Sequence, residues 1–275
     1  MEQVKMPKKS LGQNFLIDPN YRRKIIETVS PSLNDEIVEI GPGRGILTSE
    51  LVGRCRHLWL VEKDASLAAA LKTTYSDEPK ATVLTADFLE LDLKEIWGEP
   101  PRQMEVVGNL PYNVASQIFI RLIENRLYFS DLYLMFQKEM ARRFTAEPRT
   151  RDYGLLTLWA KIYTECKIAF HLPPTAFRPR PKVDSSFVHF KIREEPLIPD
   201  KEAPAFFGLL RLLFQQRRKT IASALKAKNI SIQSKKIPPN ARAEELSVEE
   251  LIRLAREAPI DLPQKSLSPP LKGRI

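Results

Sequence analysis

The stretch Glu36-Ile37-Val38-Glu39-Ile40-Gly41-Pro42-Gly43-Arg44-Gly45 decides how the rest of this 275-residue chain is read. Glu36 to Ile40 has the length and apolar character of a short strand. It runs into a turn with three glycines in five positions, and a helix is expected near Leu47 to Leu51. Glycine lets a backbone turn sharply and come close to a ligand. The dinucleotide-binding form of such a turn is GxGxxG with an acidic residue about 20 positions further on. Here the spacing is GxGxG, which departs from that form.

Working outward, strands and helices alternate. His57 to Val61 reads as a second strand ending in Glu62, Thr82 to Thr85 as a third leading to Asp87, and Met104 to Val107 as a fourth leading to Asn109. Helices are expected from Pro19 to about Val29, with Asp18 as N-cap, and over Ala65 to Leu71, Val114 to Ile123 and Lys138 to Phe144. This alternation predicts an α/β fold, a parallel sheet wrapped by helices. Asp131 to Gln137 reads as a fifth strand, and the late strands at Lys167 to Phe170 and Ser186 to Ile192 lack a clear helix between them, which predicts an antiparallel edge. Ligands of open parallel sheets sit at the carboxyl ends of the strands. Gly41, Glu62, Asp87 and Asn109 all fall at such ends.

Pro196 and Pro199 mark an expected boundary between a domain over 1–195, with a basic arm over 1–10, and a smaller helical domain over 196–275. In the second, apolar residues keep helical spacing over 205–214, 220–225 and 248–255, and the end from 259 is rich in Pro, Ser and Lys. Charge is divided unevenly. The net charge is +9, yet residues 1–195 hold 28 Lys and Arg against 26 Asp and Glu, while 196–275 hold 15 against 8. A basic module beside a near-neutral one points to a polyanionic partner. Solubility alone is the competing explanation.

Other classes are disfavoured. The two cysteines, Cys55 and Cys166, form no metal-binding spacing and no disulfide framework, so no metal is expected and a reducing cytoplasm fits. No signal-peptide core follows the basic start, and no apolar run of about 18 residues is long enough for a membrane span. The three histidines, His57, His171 and His189, are flanked by apolar residues and are expected to be structural.

Asn109-Leu110-Pro111-Tyr112 suits methylation of an aromatic amine. The lone pair on adenine N6 is delocalised into the ring, so the amine is a poor nucleophile. An Asn carbonyl and a backbone carbonyl can accept its two N–H groups and draw the nitrogen toward tetrahedral geometry. Pro111 has no N–H to donate and stiffens the turn. Tyr112 can stack on the base, an interaction worth about 1–3 kcal/mol. Glu62 is placed to accept ribose hydroxyls, and Asp87 to accept from an adenine amine. The glycine turn with these two strand-end acids resembles the Rossmann-like methyltransferases that use S-adenosylmethionine.

Over nearly its whole length the chain resembles the small-subunit ribosomal RNA adenine N6,N6-dimethyltransferases. The resemblance is carried by Gly12-Gln13-Asn14-Phe15-Leu16, Glu39 to Gly45, Asn109 to Tyr112, Gln137-Lys138-Glu139, Phe177 to Ser185 (FRPRPKVDS) and Arg217-Arg218-Lys219-Thr220. It implies transfer of four methyl groups from S-adenosylmethionine to two adjacent adenosines, in the hairpin loop near the 3′ end of small-subunit rRNA. It implies cofactor contacts at Asn14, Leu16, Gly41, Gly43, Glu62, Asp87 and Asn109, and Phe177 as a second aromatic wall for a flipped base. The basic run Arg217, Arg218 and Lys219 is expected to contact RNA phosphates, and a monomer is expected. Gly12, Leu110 and Lys182 to Ser185 favour this branch over relatives that methylate large-subunit rRNA. A ribosome-assembly or RNA-binding factor that dispenses with catalysis, and a DNA adenine methyltransferase, are the other readings.

Overall fold

The computed structural model describes residues 14–99, 103–227, 230, 238 and 240–257. The basic arm over 1–10, Gly12, Gln13 and the tail from 259 lie outside the described residues.

The chain opens with β1 (Phe15–Leu16), α1 (Pro19–Val29), β2 (Glu36–Ile40), α2 (Thr48–Leu51), β3 (His57–Glu62), α3 (Ala65–Thr74), β4 (Ala81–Thr85) and α4 (Leu93–Trp97). It continues with β5 (Met104–Asn109), α5 (Ala115–Glu124), β6 (Phe129–Gln137), α6 (Lys138–Phe144), α7 (Leu155–Tyr163), β7 (Thr164–Leu172), β8 (Phe177–Arg178) and β9 (Ser185–Ile192). The last helices among the described residues are α8 (Ala203–Phe214), α9 (Ile221–Lys226) and α10 (Val248–Glu257).

Among the described residues seven strands form one sheet in the order β4-β3-β2-β5-β6-β9-β7. The run β4 to β6 is parallel, and β9 pairs antiparallel with β6, as the sequence pattern predicted. The central parallel strands β2 and β5 are buried along most of their length, so their apolar residues run side by side rather than alternating with polar ones. Ile37, Val38, Leu58, Leu60, Val106, Val107, Leu132 and Leu134 are fully buried. Register does the functional work. Ile40 pairs with Val61 and Gly108, so the residues after β2, at the end of β3 and at the end of β5 emerge along one edge.

Local chemistry sets the helix starts. Asp18 accepts the N–H groups of Asn20 and Tyr21 at 2.8 and 3.4 Å, with Pro19 at the first helical position. Asp64 caps α3 and Asp92 caps α4 in the same way. Helices α4 and α7 and the two-stranded pair β1–β8 were not anticipated from the sequence. The first strand pair is too short to show a period, and α4 has only five residues.

The described contacts divide the chain into two units, Met1–Ala141 with Lys167–Ile192, and Arg142–Cys166 with Arg193–Ile275. This differs from a single cut after residue 195, because the chain leaves the first unit after α6 begins and returns along β7. The physical tie is aromatic: Trp159 of α7 stacks on Phe207 of α8 at 4.3 Å, and Tyr163 lies against the same ring. The Tyr153 hydroxyl also donates to the Leu246 carbonyl at 2.9 Å.

One buried group is held at a cost. Glu105 on β5 sits between Ile37 and Asp131 in register, and its Oε2 is buried without a hydrogen-bond partner. Burial, then the charges of Asp35 and Asp131, push this carboxyl from 4.5 up to about 7. A raised acid favours the folded state while protonated, so its contribution is lost as pH rises from about 4.5 through about 7. Thermal melts of Glu105→Gln against wild type should therefore show a stability difference favouring the variant that grows over that interval. A difference that does not vary with pH would contradict the assignment.

Candidate active site

The site is built on the carboxyl ends of β2, β3 and β5. After β2 the glycine turn takes backbone angles that other residues rarely adopt, with φ of +68° at Gly41, +59° at Gly43 and +76° at Gly45. Gly41 also donates its N–H to the Val61 carbonyl at 2.9 Å, pinning the turn to β3. A Cβ added at Gly41 would meet nothing within 4 Å, so the turn is open on that side; at Gly43 it would lie 2.8 Å from the Phe15 ring. The Phe15 ring is in turn covered by the Arg44 guanidinium at 4.9 Å.

Glu62 closes the turn from β3. Its Oε2 accepts from the Gly43 N–H at 3.0 Å and its Oε1 from the Asp64 N–H at 2.8 Å. Burial raises the Glu62 carboxyl, and the backbone donors of Asp64 and Gly43 oppose that shift. Beneath it, Glu39 is almost wholly buried and accepts from the Thr48 hydroxyl at 2.7 Å. Burial lifts Glu39 from 4.5 to about 7, the Thr48 bond works against this, and the nearby Glu62 charge adds to it. No feature of the sequence alone distinguishes Glu39 from any acid before a glycine turn.

From β5, Asn109 donates its Nδ2 to the carbonyl of Asn14 at 2.8 Å, across 95 positions of sequence. With Nδ2 so committed, the remaining polar atom of the side chain is the acceptor Oδ1. Leu110 is buried, and Gly108 makes room for it, since a Cβ there would lie 2.9 Å from the Leu110 side chain. The Pro111 carbonyl accepts from the Val114 N–H at 3.1 Å, which closes the turn into α5. Tyr112 shares a hydrogen bond with Ser185, a residue with no exposure at the start of β9. Burial raises the Tyr112 phenol, so the ring stays neutral at ordinary pH.

One pocket gathers most of the expected residues. Asn14 and Phe15 line it at the start of β1, Gly41 and Gly43 from the glycine turn, Glu62 from β3, and Asn109 to Tyr112 from the end of β5 and the turn after it. Asp87 is not among its walls; its carboxylate pairs with Lys63 and accepts from the Leu89 N–H at 3.1 Å. Leu16 is buried, and its backbone pairs with Phe177. Phe177 differs most from expectation. Its ring is 1% exposed and belongs to the apolar cluster with Leu16, Ile25 and Phe187, so it is packing rather than an open wall here. The three histidines bond to Thr82, Ser186 and Asp131, and none lines the pocket. Among the described residues no group of three or more His, Cys, Asp or Glu could hold a metal ion.

The basic run lies in the second unit. Arg217, Arg218 and Lys219 are all exposed, but the Arg217 guanidinium also donates to protein acceptors: Glu244 Oε2 at 2.7 Å and the carbonyls of Arg151 and Tyr153 at 3.1 and 3.0 Å. The sequence places three cations in a row and gives no sign that the first is engaged inward.

Comparison with known proteins follows the same lines. The profile of the family described as ribosomal RNA adenine dimethylase matches residues 4–259. Ribosomal RNA small subunit methyltransferase A of Chlorobium phaeobacteroides is 41% identical over 90% of this chain and 89% of its own length. The protein of that name from Clostridium botulinum is 38% identical over 90% and 92%. Among solved structures, a 23S rRNA methyltransferase, ErmE, superposes with a TM-score of 0.70 at 28% identity, over 89% of this chain and 99% of its own. A dimethyladenosine transferase of Plasmodium falciparum gives 0.74 at 22% identity over 87% and 95%, a likeness of fold.

The Gly43 contact generates a direct test. A methyl group there meets both a positive φ, a conformation costing roughly 1–2 kcal/mol for an L-residue, and the Phe15 ring. Gly43→Ala should weaken S-adenosylmethionine binding by about tenfold or more in calorimetric titration. Gly53→Ala, where a Cβ meets nothing within 4 Å, should leave it unchanged.

Proposed function

The chain belongs to the ribosomal RNA adenine dimethylase family, and on that premise we propose that it dimethylates N6 of two adjacent adenosines in the 3′-terminal hairpin loop of small-subunit rRNA, using S-adenosylmethionine. The observation that carries the reading is the pairing of Asn109 with the glycine turn in one pocket.

The pocket fits the methyl donor on its own chemistry. Gly41 leaves space where a side chain would stand, and the Glu62 carboxylate lies at the wall with acceptor capacity for vicinal hydroxyls. Glu62, Gly41, Gly43 and Asn14 would hold the donor, with Asp87 at the next strand end for its adenine amine. The bound sulfonium supplies an electrophilic methyl group. Positioning therefore accounts for much of the rate, and no Ser/His/Asp relay is required.

The chain's own residues prepare the nucleophile. Asn109 Oδ1 and the Leu110 carbonyl accept the two N–H groups of the target amine, which localises its lone pair. Pro111 offers no competing donor. Tyr112, held at its hydroxyl by Ser185, gives one face for stacking on the extruded base. Phe177 acts in this reading by packing against Leu16 and so holding the wall that carries Asn14; a role as a second stacking face requires its buried ring to swing out. The second unit, with Arg218 and Lys219 exposed, binds the RNA backbone.

Two alternatives concern the target. The similarity in structure to a large-subunit enzyme leaves that substrate open on geometry alone, but the 38–41% identical relatives carry the small-subunit name. A role in small-subunit assembly is compatible with catalysis by the same chain. No described helix is long and apolar enough to cross a membrane.

Incubation with labelled S-adenosylmethionine and small subunits lacking the modification should yield labelled dimethyladenosine after RNA digestion. Unmodified large subunits should yield none. Asn109→Ala should still bind the particles but lose methyl transfer by about 10²-fold or more. Binding by wild type without any label would identify an assembly factor instead.

A further inference from the structure

The second unit holds an arginine that the phosphate-binding reading does not explain. Arg217 donates from Nε to Glu244 Oε2 at 2.7 Å, from Nη1 to the Arg151 carbonyl at 3.1 Å and from Nη2 to the Tyr153 carbonyl at 3.0 Å. Each of its three nitrogens is engaged by the protein. The side chain is 41% exposed, but three of its five N–H groups are committed to protein acceptors, and moving it to a phosphate would release two backbone carbonyls and a carboxylate.

The acceptors come from two separate segments. One is the loop after α6, residues 147–153. The other is the 3₁₀ turn Ala243–Glu245 that precedes α10. The two are also joined directly, because Arg149 donates its N–H to the Glu244 carbonyl at 2.7 Å. Arg149 holds a φ of +68°, uncommon for a residue with a side chain, and this bond helps fix it there. The loop is further wired by Thr150, whose hydroxyl donates to the Glu147 carbonyl at 2.7 Å, and Glu147 pairs with Lys161 at 2.9 Å.

The consequence is a cluster of cations. Arg149 and Arg151 are exposed on the loop, and Arg218 and Lys219 are exposed just after the arginine that holds it. Among the described residues none of these four forms an ion pair, whereas the acids around them, Glu147 and Glu244, are already paired. Glu147 and Glu244 are thus each paired with a cation, and although Asp152 and the exposed Glu245 lie on the same segments, the four unpaired cations outnumber them.

We propose that Arg217 is a positioning residue, not a phosphate contact, and that through Glu244 it assembles Arg149, Arg151, Arg218 and Lys219 into one surface for an RNA phosphodiester backbone. This rests on the reading of the second unit as RNA-binding, and it extends the surface to a loop that the basic run alone does not indicate. Guanidinium groups on a fixed loop suit phosphate oxygens in bidentate fashion.

The test is the salt dependence of binding to unmodified small ribosomal subunits by the full-length protein. Arg149→Ala with Arg151→Ala removes only exposed side chains. It should weaken binding severalfold and reduce the slope of log affinity against log salt by roughly one unit per lost phosphate contact. Glu244→Gln is the discriminating variant. It removes a negative charge and would tighten binding if charge alone mattered, or if Arg217 were released to reach phosphate. The positioning role requires it to weaken binding severalfold, with faster amide exchange at Arg149. Arg217→Lys keeps the charge but cannot span three acceptors, and should also weaken binding. An unchanged slope in the loop double variant, tighter binding by Glu244→Gln, or full affinity in Arg217→Lys would each overturn the proposal. Wild-type binding with no salt dependence would instead remove the RNA reading beneath it.

Discussion

The bond from Asn109 Nδ2 to the Asn14 carbonyl, 2.8 Å long, is the constraint on which the site depends. An amide side chain can present either a donor or an acceptor, and the two differ only by a half-turn. Committing the NH₂ end to a backbone carbonyl removes that ambiguity and leaves the Oδ1 acceptor at the pocket. The same bond brings the first described strand against the end of β5, so the wall bearing Phe15 and the turn Asn109 to Tyr112 are set together. Phe15 then reaches Gly43, and Gly43 reaches Glu62, which completes a chain of contacts from Asn109 to the carboxylate at the end of β3.

Burial gives this arrangement its electrostatic character. Glu39 and Glu62 lie close together under the glycine turn, and both carboxyls are raised chiefly by burial. Glu62 is compensated by two backbone donors and Glu39 by Thr48, so the turn is held by hydrogen bonds to acids that water does not reach freely. A preorganised polar site of this kind needs little rearrangement when ligands arrive. In the second unit the same logic runs with reversed sign. There an arginine donates to two backbone carbonyls and a glutamate, joining the loop over 147–153 to the turn Ala243–Glu245.

Much of this was legible before the structure. Strand ends at Gly41, Glu62 and Asn109 follow from short apolar runs punctuated by glycine or polar residues, and the register of parallel strands does align them. Asp18 and Pro19 announced α1 through cap chemistry. Features that depend on residues distant in sequence were hidden. The β1–β8 pair joins two-residue strands some 160 positions apart, and no periodicity can reveal it. Helix α7 is buried along most of its length against α8, so its pattern is apolar rather than amphipathic, and with it the assignment of 142–166 escaped. Phe177 and Arg217 look from sequence like an open ring and a free cation. One is packed into the core and the other is locked by three acceptors, because burial and hydrogen bonding are tertiary properties.

The most direct measurement is single-turnover methyl transfer by Asn109→Asp at saturating S-adenosylmethionine. The aspartate keeps an acceptor oxygen but loses the donor to Asn14, and sets a carboxylate against that carbonyl. If the oriented amide is what prepares the adenine amine, the rate should fall by about 10²-fold or more while RNA binding is retained. A rate within a few-fold of wild type would show that any acceptor at this position suffices and that the bond to Asn14 does not govern the chemistry.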